Sequence, residues 1–359
     1  MHIPFCSQAC YYCDFHFSTS LKTKDRVVNA IKTEISYQKD YLSNYVDTIY
    51  FGGGTPSILS VKYLQQILDK IKQTFKCRNL IETTLEVNPE DVTNEKIKDW
   101  ISIGINRFSL GVQSFRENDL KYMNRVHSKK QALNALEILC KSGVTNINVD
   151  LIYGFPLLSN IAWKENLKML LTFKVPHISC YSLTVEKNTP LYSYIKKGKY
   201  KPVQSKKASK QFRIARDVLI SSGYDHYEIS NFSYPGWGSK HNMNYWNNTH
   251  YLGLGPSAHS FNGNTRQWNI KNNIKYCQKI ETKDSFFELE KLSYKNIINE
   301  YILTSLRTTK GMKMSFFINQ IKGTELLNMQ KKIKTTCMFF TQEGLKKDLH
   351  LAVDLRLIF

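Results

Sequence analysis

Short apolar runs alternate with longer amphipathic stretches along the first half of the chain. The short runs are rich in branched and aromatic residues, which predicts strands at 2–5, 48–51, 84–87, 107–110, 146–152 and 177–182. Between them, apolar residues recur at helical spacing, which predicts helices at 24–42, 59–75, 94–103, 129–142 and 161–173. Strands separated by helices pair in parallel through right-handed crossovers, so we predict an α/β fold, an open (β/α)6 partial barrel.

Candidate functional residues lie where the predicted strands end. Gly54 and Thr55 follow the second strand, and Glu86 stands near the end of the third. Gln113 follows the fourth strand, and Asp150 lies within the fifth. In barrels of this kind, functional groups gather at the carboxyl ends of the strands. Taken alone, a glycine run is also explained by a tight turn, and an acid by a solvated or ion-paired carboxylate.

Cys6, Cys10 and Cys13 form a Cys-x3-Cys-x2-Cys pattern directly behind the first predicted strand. Three thiolates on one tight loop can hold three corners of a cubic iron–sulfur cluster. Asp14 and Phe15 follow and are poor soft ligands, so one iron would keep an open coordination position. The alternative is a zinc site, but zinc prefers four closed ligands in paired groups, and no second pair lies nearby in the sequence.

Composition narrows the class of protein. The 359 residues are 42% hydrophobic, which is enough for one large domain and a smaller one. No apolar run reaches the roughly 18 residues of a membrane-spanning helix, and we expect a cytoplasmic protein without a signal peptide. The formal net charge of +20 is typical of nucleic-acid binding. The lysines are spread through many predicted helices, however, so we expect no nucleic-acid partner.

Two long motifs resemble a known family. The first is His-Ile-Pro-Phe-Cys-x3-Cys-x2-Cys-Asp-Phe at residues 2–15, and the second is Gly-Gly-Gly-Thr-Pro-Ser at residues 52–57. Together they resemble the radical S-adenosylmethionine (SAM) superfamily. Within it, the chain is similar to the branch that contains oxygen-independent coproporphyrinogen III oxidase and the heme chaperone HemW. The resemblance extends from residue 2 to about residue 312.

This resemblance implies two cofactors and a set of site residues. A [4Fe-4S] cluster would be held by Cys6, Cys10 and Cys13, and SAM would bind the open iron. The positions that match SAM-binding residues of the family are Gly54, Thr55, Glu86, Gln113, Arg125 and Asp150. The chain departs from the family after the fifth strand, where Phe155-Pro156-Leu157-Leu158 replaces the usual Pro-Gly-Gln.

The string His-Asn-x-x-Tyr-Trp at residues 241–246 resembles the signature of the chaperone branch. An imidazole can ligate heme iron, so His241 is a candidate heme ligand. The alternative is structural, because aromatic-rich loops also close barrels. The oxidases have a further cysteine two positions after the third, where this chain has Phe15. We therefore expect a heme chaperone without coproporphyrinogen oxidase turnover, with the oxidase as the competing interpretation.

The sequence also predicts three segments and several partners. We expect a radical SAM core at 1–225, a barrel-closing segment at 226–284, and a small, mainly helical C-terminal domain at 285–359. The resemblance implies heme or another porphyrin, a recipient hemoprotein, and a reduced flavodoxin- or ferredoxin-type electron donor. The basic composition would also allow peripheral contact with a membrane.

Overall fold

The computed structural model describes residues 1–77, 80–311, 313 and 316. Its main sheet begins with six parallel strands in sequential order: β1 (His2–Ile3), β2 (Thr48–Gly53), β3 (Glu82–Val87), β4 (Arg107–Gln113), β5 (Ile147–Tyr153) and β6 (His177–Ser182). Two further strands, β7 (Asp225–His226) and β8 (Asn231–Ser233), extend the sheet in the order β6-β8-β7. The pairings of β6 with β8 and of β7 with β8 are antiparallel.

Helices connect the parallel strands and cover one face of the sheet. In this part of the chain they are α1 (Lys24–Tyr37), α2 (Val61–Thr74), α3 (Asn94–Ser102), α4 (Glu117–Met123), α5 (Lys129–Lys141), α6 (Asn160–Leu171), α7 (Pro190–Lys196) and α8 (Ser205–Ser221). Serine or threonine caps the amino end of several of them; Ser128 and Gln131 form a complete capping box on α5.

A second, three-stranded sheet follows the core. It contains β9 (His259–Phe261), β10 (Thr265–Asn269) and β11 (Phe287–Lys291) in antiparallel order β11-β10-β9. Three helices accompany it: α9 (Lys240–Trp246), α10 (Asn273–Glu281) and α11 (Tyr294–Ser305). This sheet joins residues on both sides of the boundary predicted at 284/285, and the domain limits stay predictions. Most of the predicted C-terminal domain lies outside the described residues.

The two faces of the parallel sheet differ in polarity, because successive side chains of a strand point to opposite faces. One face is apolar and packs into the core with the helices; Phe51, Leu85 and Phe108 belong to it and are fully buried. The opposite face is polar. There, Asn148 Nδ2 donates to Ser109 Oγ at 2.7 Å. The interior of the partial barrel is therefore lined by hydrogen-bonding groups.

The predicted open α/β partial barrel is confirmed, and several element ends were misplaced. The strand predicted at 177–182 is β6, whereas β4 continues three residues beyond its predicted end at 110. Helix α1 was predicted to reach residue 42 but ends at Tyr37, and the polar residues that follow form turns. Among the described residues, none of the helices combines the length and the apolar character that a membrane span requires.

Candidate functional site

The cysteine loop, residues 6–13, lies between β1 and the carboxyl end of α4. Its backbone is held from two sides: Tyr11 N–H donates to Met123 O at 3.1 Å, and Asn124 Nδ2 donates to Ala9 O at 2.7 Å. Asn124 has the left-handed conformation that ends α4, with φ of 59°. The three cysteine side chains are partly exposed and free. The loop thus presents three thiols at the carboxyl edge of the sheet.

Two side chains from other loops donate hydrogen bonds to these sulfurs. Thr55 Oγ1 donates to Cys6 Sγ at 3.6 Å, and Arg125 Nη1 donates to Cys10 Sγ at 3.5 Å. Asn88 connects the two donors, because its Nδ2 donates to Thr55 Oγ1 at 3.2 Å and its Oδ1 accepts from Arg125 Nη2 at 2.7 Å. Donors of this kind stabilise sulfur in its anionic form.

Burial raises the pKa of the Cys6 and Cys13 thiols, that of Cys13 to about 11. For Cys6, the hydrogen bond from Thr55 works against this shift. Metal ligation requires deprotonated sulfur, so the binding of a cluster would release protons from this loop.

The glycine run is needed for close packing against the first strand and the cysteine loop. Gly54 N–H donates to Ile3 O at 2.9 Å, and a Cβ at Gly54 would lie 2.6 Å from Phe5 O. At Gly53, φ is +112°, and a Cβ would collide with the His2 ring. These positions require glycine whether or not a ligand binds, and the predicted contact of Gly54 with SAM stays a prediction.

Gln113 is strained and incompletely bonded. Its φ is 66°, in the left-handed region that a glutamine seldom adopts, and the pairing of β4 with β5 shifts register just before it. Its Oε1 is buried without a hydrogen-bond partner, and its Nε2 lies beside Gly111. Backbone strain together with an unsatisfied polar atom is typical of a ligand-binding position.

Glu86 and Asp150 lie on the polar face of the sheet. Glu86 Oε1 accepts from the Tyr50 hydroxyl at 2.7 Å, and burial raises the pKa of Glu86 to about 7. Asp150 accepts from Asn148 Nδ2 at 2.8 Å and from Ser109 Oγ at 3.2 Å. Burial also raises the pKa of Asp150, against the effect of these hydrogen bonds. The charge of Asp150 also raises the pKa of Glu86.

The donor set fits a cluster and a polar nucleotide. Thr55 and Arg125 already contact two of the three sulfurs, and Arg125 Nε, like Gln113 Oε1, is buried without a hydrogen-bond partner. Among the described residues, no group of three or more His, Cys, Asp or Glu converges on one point as a single metal ion requires. The thiolates of a cluster bind different irons and need not converge in this way.

His241 lies at the start of α9. Its Nδ1 is 2.8 Å from Thr48 Oγ1, and its Nε2 is 3.1 Å from the Tyr245 hydroxyl. The imidazole stacks on Tyr50 at 5.1 Å, and burial lowers the pKa of His241 to about 3. The ring is therefore neutral at pH 7. Tyr50 contacts both His241 and Glu86, so it connects the two predicted sites.

Sequence reasoning did not single out three residues that organise this region. Asn88 bridges Thr55 and Arg125, and Tyr50 bridges Glu86 and His241. Tyr12 lies near Cys10, Arg125 and Asp150; burial raises the pKa of its hydroxyl, and the charges of these groups also act on it. Asn88 could have been found, because it stands two residues beyond Glu86 in the string that ends the third strand. Nothing in the sequence marks Tyr50.

Comparison with known proteins agrees with this site. The family model "Radical SAM superfamily" matches residues 1–170. The heme chaperone HemW of Lactococcus lactis is 36% identical over 321 residues, covering 89% of this chain and 84% of the relative. HemW of Bacillus subtilis is 32% identical over 326 residues, covering 88% of this chain and 85% of the relative.

A solved structure has the same fold as this chain. The coproporphyrinogen III oxidase HemN of Escherichia coli, described as a radical SAM enzyme, superposes with a TM-score of 0.82 at 21% identity. The match covers 97% of this chain and 84% of HemN. At this identity the likeness concerns the fold. The identity and coverage shared with HemW, joined to the cysteine loop and its donors, show that the chain belongs to the HemW family of the radical SAM superfamily.

Proposed function

We propose that this protein is a radical SAM heme chaperone, which binds heme and transfers it to a recipient hemoprotein. The observation that carries the proposal is the 36% identity over 84% of the length of a curated heme chaperone. The partial barrel and the cysteine loop support the same assignment, since they supply the parts that such a protein needs.

The cluster and SAM would occupy the carboxyl edge of the sheet. Cys6, Cys10 and Cys13 would bind three irons of a [4Fe-4S] cluster, which supplies the electron for reductive cleavage of SAM. Arg125 would meet the SAM carboxylate through its planar guanidinium. The other proposed SAM contacts are Gly54, Thr55, Glu86, Gln113 and Asp150. Thr55 and Arg125 would also donate to the cluster sulfurs, as they donate to the free thiols here.

We propose that His241 binds the heme iron through its Nε2 atom. The Thr48 hydroxyl at Nδ1 is the kind of outer hydrogen bond that orients metal-ligating histidines. Tyr245 holds Nε2 at 3.1 Å, and its side chain is 39% exposed, so it has room to move aside. The lowered pKa of His241 keeps the imidazole in the neutral form that binds iron.

The proposed setting is the cytoplasm, because the described cysteines are free thiols, as expected in a reducing compartment. The recipient would be an apo-hemoprotein, and the electron would come from a reduced flavodoxin- or ferredoxin-type protein.

Anaerobic reconstitution followed by two assays tests the proposal. Heme titration followed by absorbance should show saturable, stoichiometric uptake, and incubation with coproporphyrinogen III and SAM should leave the substrate unchanged. The competing function is coproporphyrinogen oxidase, which the HemN-like fold would allow. Turnover to protoporphyrinogen would reject the chaperone.

A matched pair of variants tests His241. His241→Ala should weaken heme binding by about tenfold or more, since an axial bond is lost. The control is His250→Ala, which removes an exposed histidine nine positions after His241 in the chain. This variant should bind heme as the wild type does. Equal affinity in the two variants would remove His241 from the proposal.

A further inference from the structure

One stretch of the chain is strongly basic. Residues 187–210, called here the basic segment, contain eight lysines and no aspartate or glutamate, although the chain has 30 acidic residues. The lysines are Lys187, Lys196, Lys197, Lys199, Lys201, Lys206, Lys207 and Lys210. All of them except Lys207 are exposed. The segment therefore presents concentrated positive charge to solvent.

The basic segment is packed directly against the cysteine loop. Leu191 N–H donates to Tyr11 O at 2.9 Å, and Tyr11 follows Cys10 in the chain. The Tyr11 ring meets the Tyr194 ring edge-on at 5.0 Å. Lys199 Nζ lies 4.4 Å from the centre of the Tyr194 ring. The Lys199 ammonium is therefore connected to the cysteine loop through the rings of Tyr194 and Tyr11.

A groove adjoins the same face. Tyr200 belongs to the basic segment, meets Tyr194 at 5.4 Å, and stacks on Tyr122 at 4.7 Å. Tyr122 and Tyr200 line a groove of about 360 Å³, whose other lining residues include the exposed Lys121 and Arg116, which pairs with Asp119 at 3.1 Å. Aromatic rings beside an exposed lysine suit a protruding loop that carries acidic side chains.

We propose that the basic segment and this groove form the docking surface for an acidic electron-donor protein. The proposal rests on the proposed function, because it takes the cysteine loop to hold the cluster. The docking surface would serve the transfer of one electron. The electron leaves the reduced cofactor of the donor and enters the cluster, and the charge of the cluster falls by one. No bond forms or breaks.

Charge and position together favour a protein donor. Complexes that transfer electrons are short-lived and small, and complementary charge speeds their formation more than it tightens them. An electron donor must also approach the cluster closely, and the basic segment touches the cysteine loop. Nucleic acid and anionic lipid carry the same sign of charge as the donor, but neither needs to approach the cluster in order to bind.

Charge reversal tests the surface. The first triple variant is Lys197→Glu, Lys199→Glu, Lys201→Glu. The control triple variant is Lys39→Glu, Lys62→Glu, Lys98→Glu. It changes the net charge by the same amount, at exposed lysines on or next to α1–α3. Binding of an acidic flavodoxin and of an acidic ferredoxin to the reconstituted protein is measured by calorimetry at several salt concentrations. We expect affinity in the first variant to fall about tenfold, with a weaker salt dependence, and the control to bind like the wild type.

Other readouts separate this proposal from the function on which it rests. Dithionite, a small reductant, should reduce the cluster equally in all three proteins. Failure to assemble a cluster would overturn the proposed function, and a cluster that dithionite reduces while neither donor binds the wild type would overturn only the docking surface. Equal losses in both triple variants would also overturn it. The docking surface would also be overturned if transfer RNA or phosphatidylglycerol vesicles bound the wild type more tightly than either donor does. In that case only the first triple variant would lose this binding.

Discussion

Gln113 has a conformation that lowers the stability of the fold at the proposed SAM site. Its left-handed backbone and its unpartnered Oε1 are both unfavourable, and neither is compensated within the described structure. An unsatisfied buried polar atom costs about 1–3 kcal/mol. Such a position is retained where a ligand makes up the deficit, which is the role proposed for Gln113 toward SAM.

Replacing Gln113 with glycine should separate stability from binding. Glycine adopts positive φ without strain, so Gln113→Gly should keep or raise the free energy of unfolding, by up to about 1 kcal/mol. Affinity for SAM should fall about tenfold, because a hydrogen-bonding side chain is lost. Denaturant unfolding and equilibrium dialysis with SAM measure the two effects.

The control is Lys283→Gly, at an exposed position where φ is 59°. It relieves the same kind of strain far from the proposed site in sequence and should leave SAM affinity unchanged. If Gln113→Gly bound SAM as tightly as this control, Gln113 would have no part in the site.

At the residue scale, sequence reasoning located the sulfur donors but not their connections. Thr55 and Arg125 were predicted for SAM, and both also contact cysteine sulfurs. Asn88 and Tyr50 were not singled out, because their importance lies in side-chain contacts between strands that no spacing reveals. Gly54 was attributed to ligand approach, whereas packing against Phe5 already requires a glycine.

At the scale of elements, α1 is tied to the second sheet through one buried acid. Glu34 on α1 is fully buried and accepts from Gly255 N–H at 2.7 Å, from Asn269 Nδ2 at 2.6 Å and from the Tyr276 hydroxyl at 2.5 Å. Burial raises the pKa of Glu34 to about 7, against the effect of these hydrogen bonds. The positive charge of the Met1 amino group also works against this shift.

This raised pKa predicts how stability depends on pH. The unfolded carboxyl titrates near 4.5 and the folded one near 7, so the folded state binds the proton more tightly. The contribution of Glu34 is fully present below the unfolded pKa and is lost as pH rises through about 7, by roughly 3 kcal/mol in all. Denaturant unfolding between pH 5 and 8 in wild type and Glu34→Gln measures it. The variant should show a flatter profile, and parallel profiles would contradict the assignment.

Elements with strong periodicity were predictable, and short or antiparallel ones were not. The six parallel strands follow apolar runs that the helices bury, so their existence was readable from the sequence. Helices α4 and α7 have only seven residues each, too few to show a periodic pattern. Strands β7 and β8 have two and three residues, and they exist because β6 offers them an edge.

At the scale of the whole molecule, net charge alone was a poor guide. The lysines were interpreted as spread through many helices, yet the basic segment carries eight within 187–210 and lies against the cysteine loop. A window count of acidic residues would have revealed the segment. Its position beside Tyr11 depends on the fold, because Leu191 stands 180 positions after Tyr11 in the chain.

The family was readable from motifs, since the cysteine pattern and the glycine run are long and specific. The heme site stays a prediction. Motif position singles out His241, whose ring is held by Tyr245 and by Thr48 from a distant strand. Whether its ring is available to iron depends on partners that only the fold assembles.

Electron paramagnetic resonance of the anaerobically reconstituted, dithionite-reduced protein, before and after SAM is added, tests the central claim most directly. We predict the spectrum of a reduced [4Fe-4S] cluster, a changed spectrum when SAM binds the open iron, and no such signal when Cys6, Cys10 and Cys13 are all replaced by serine. A spectrum that SAM leaves unchanged, or one that survives the serine replacements, would contradict the account.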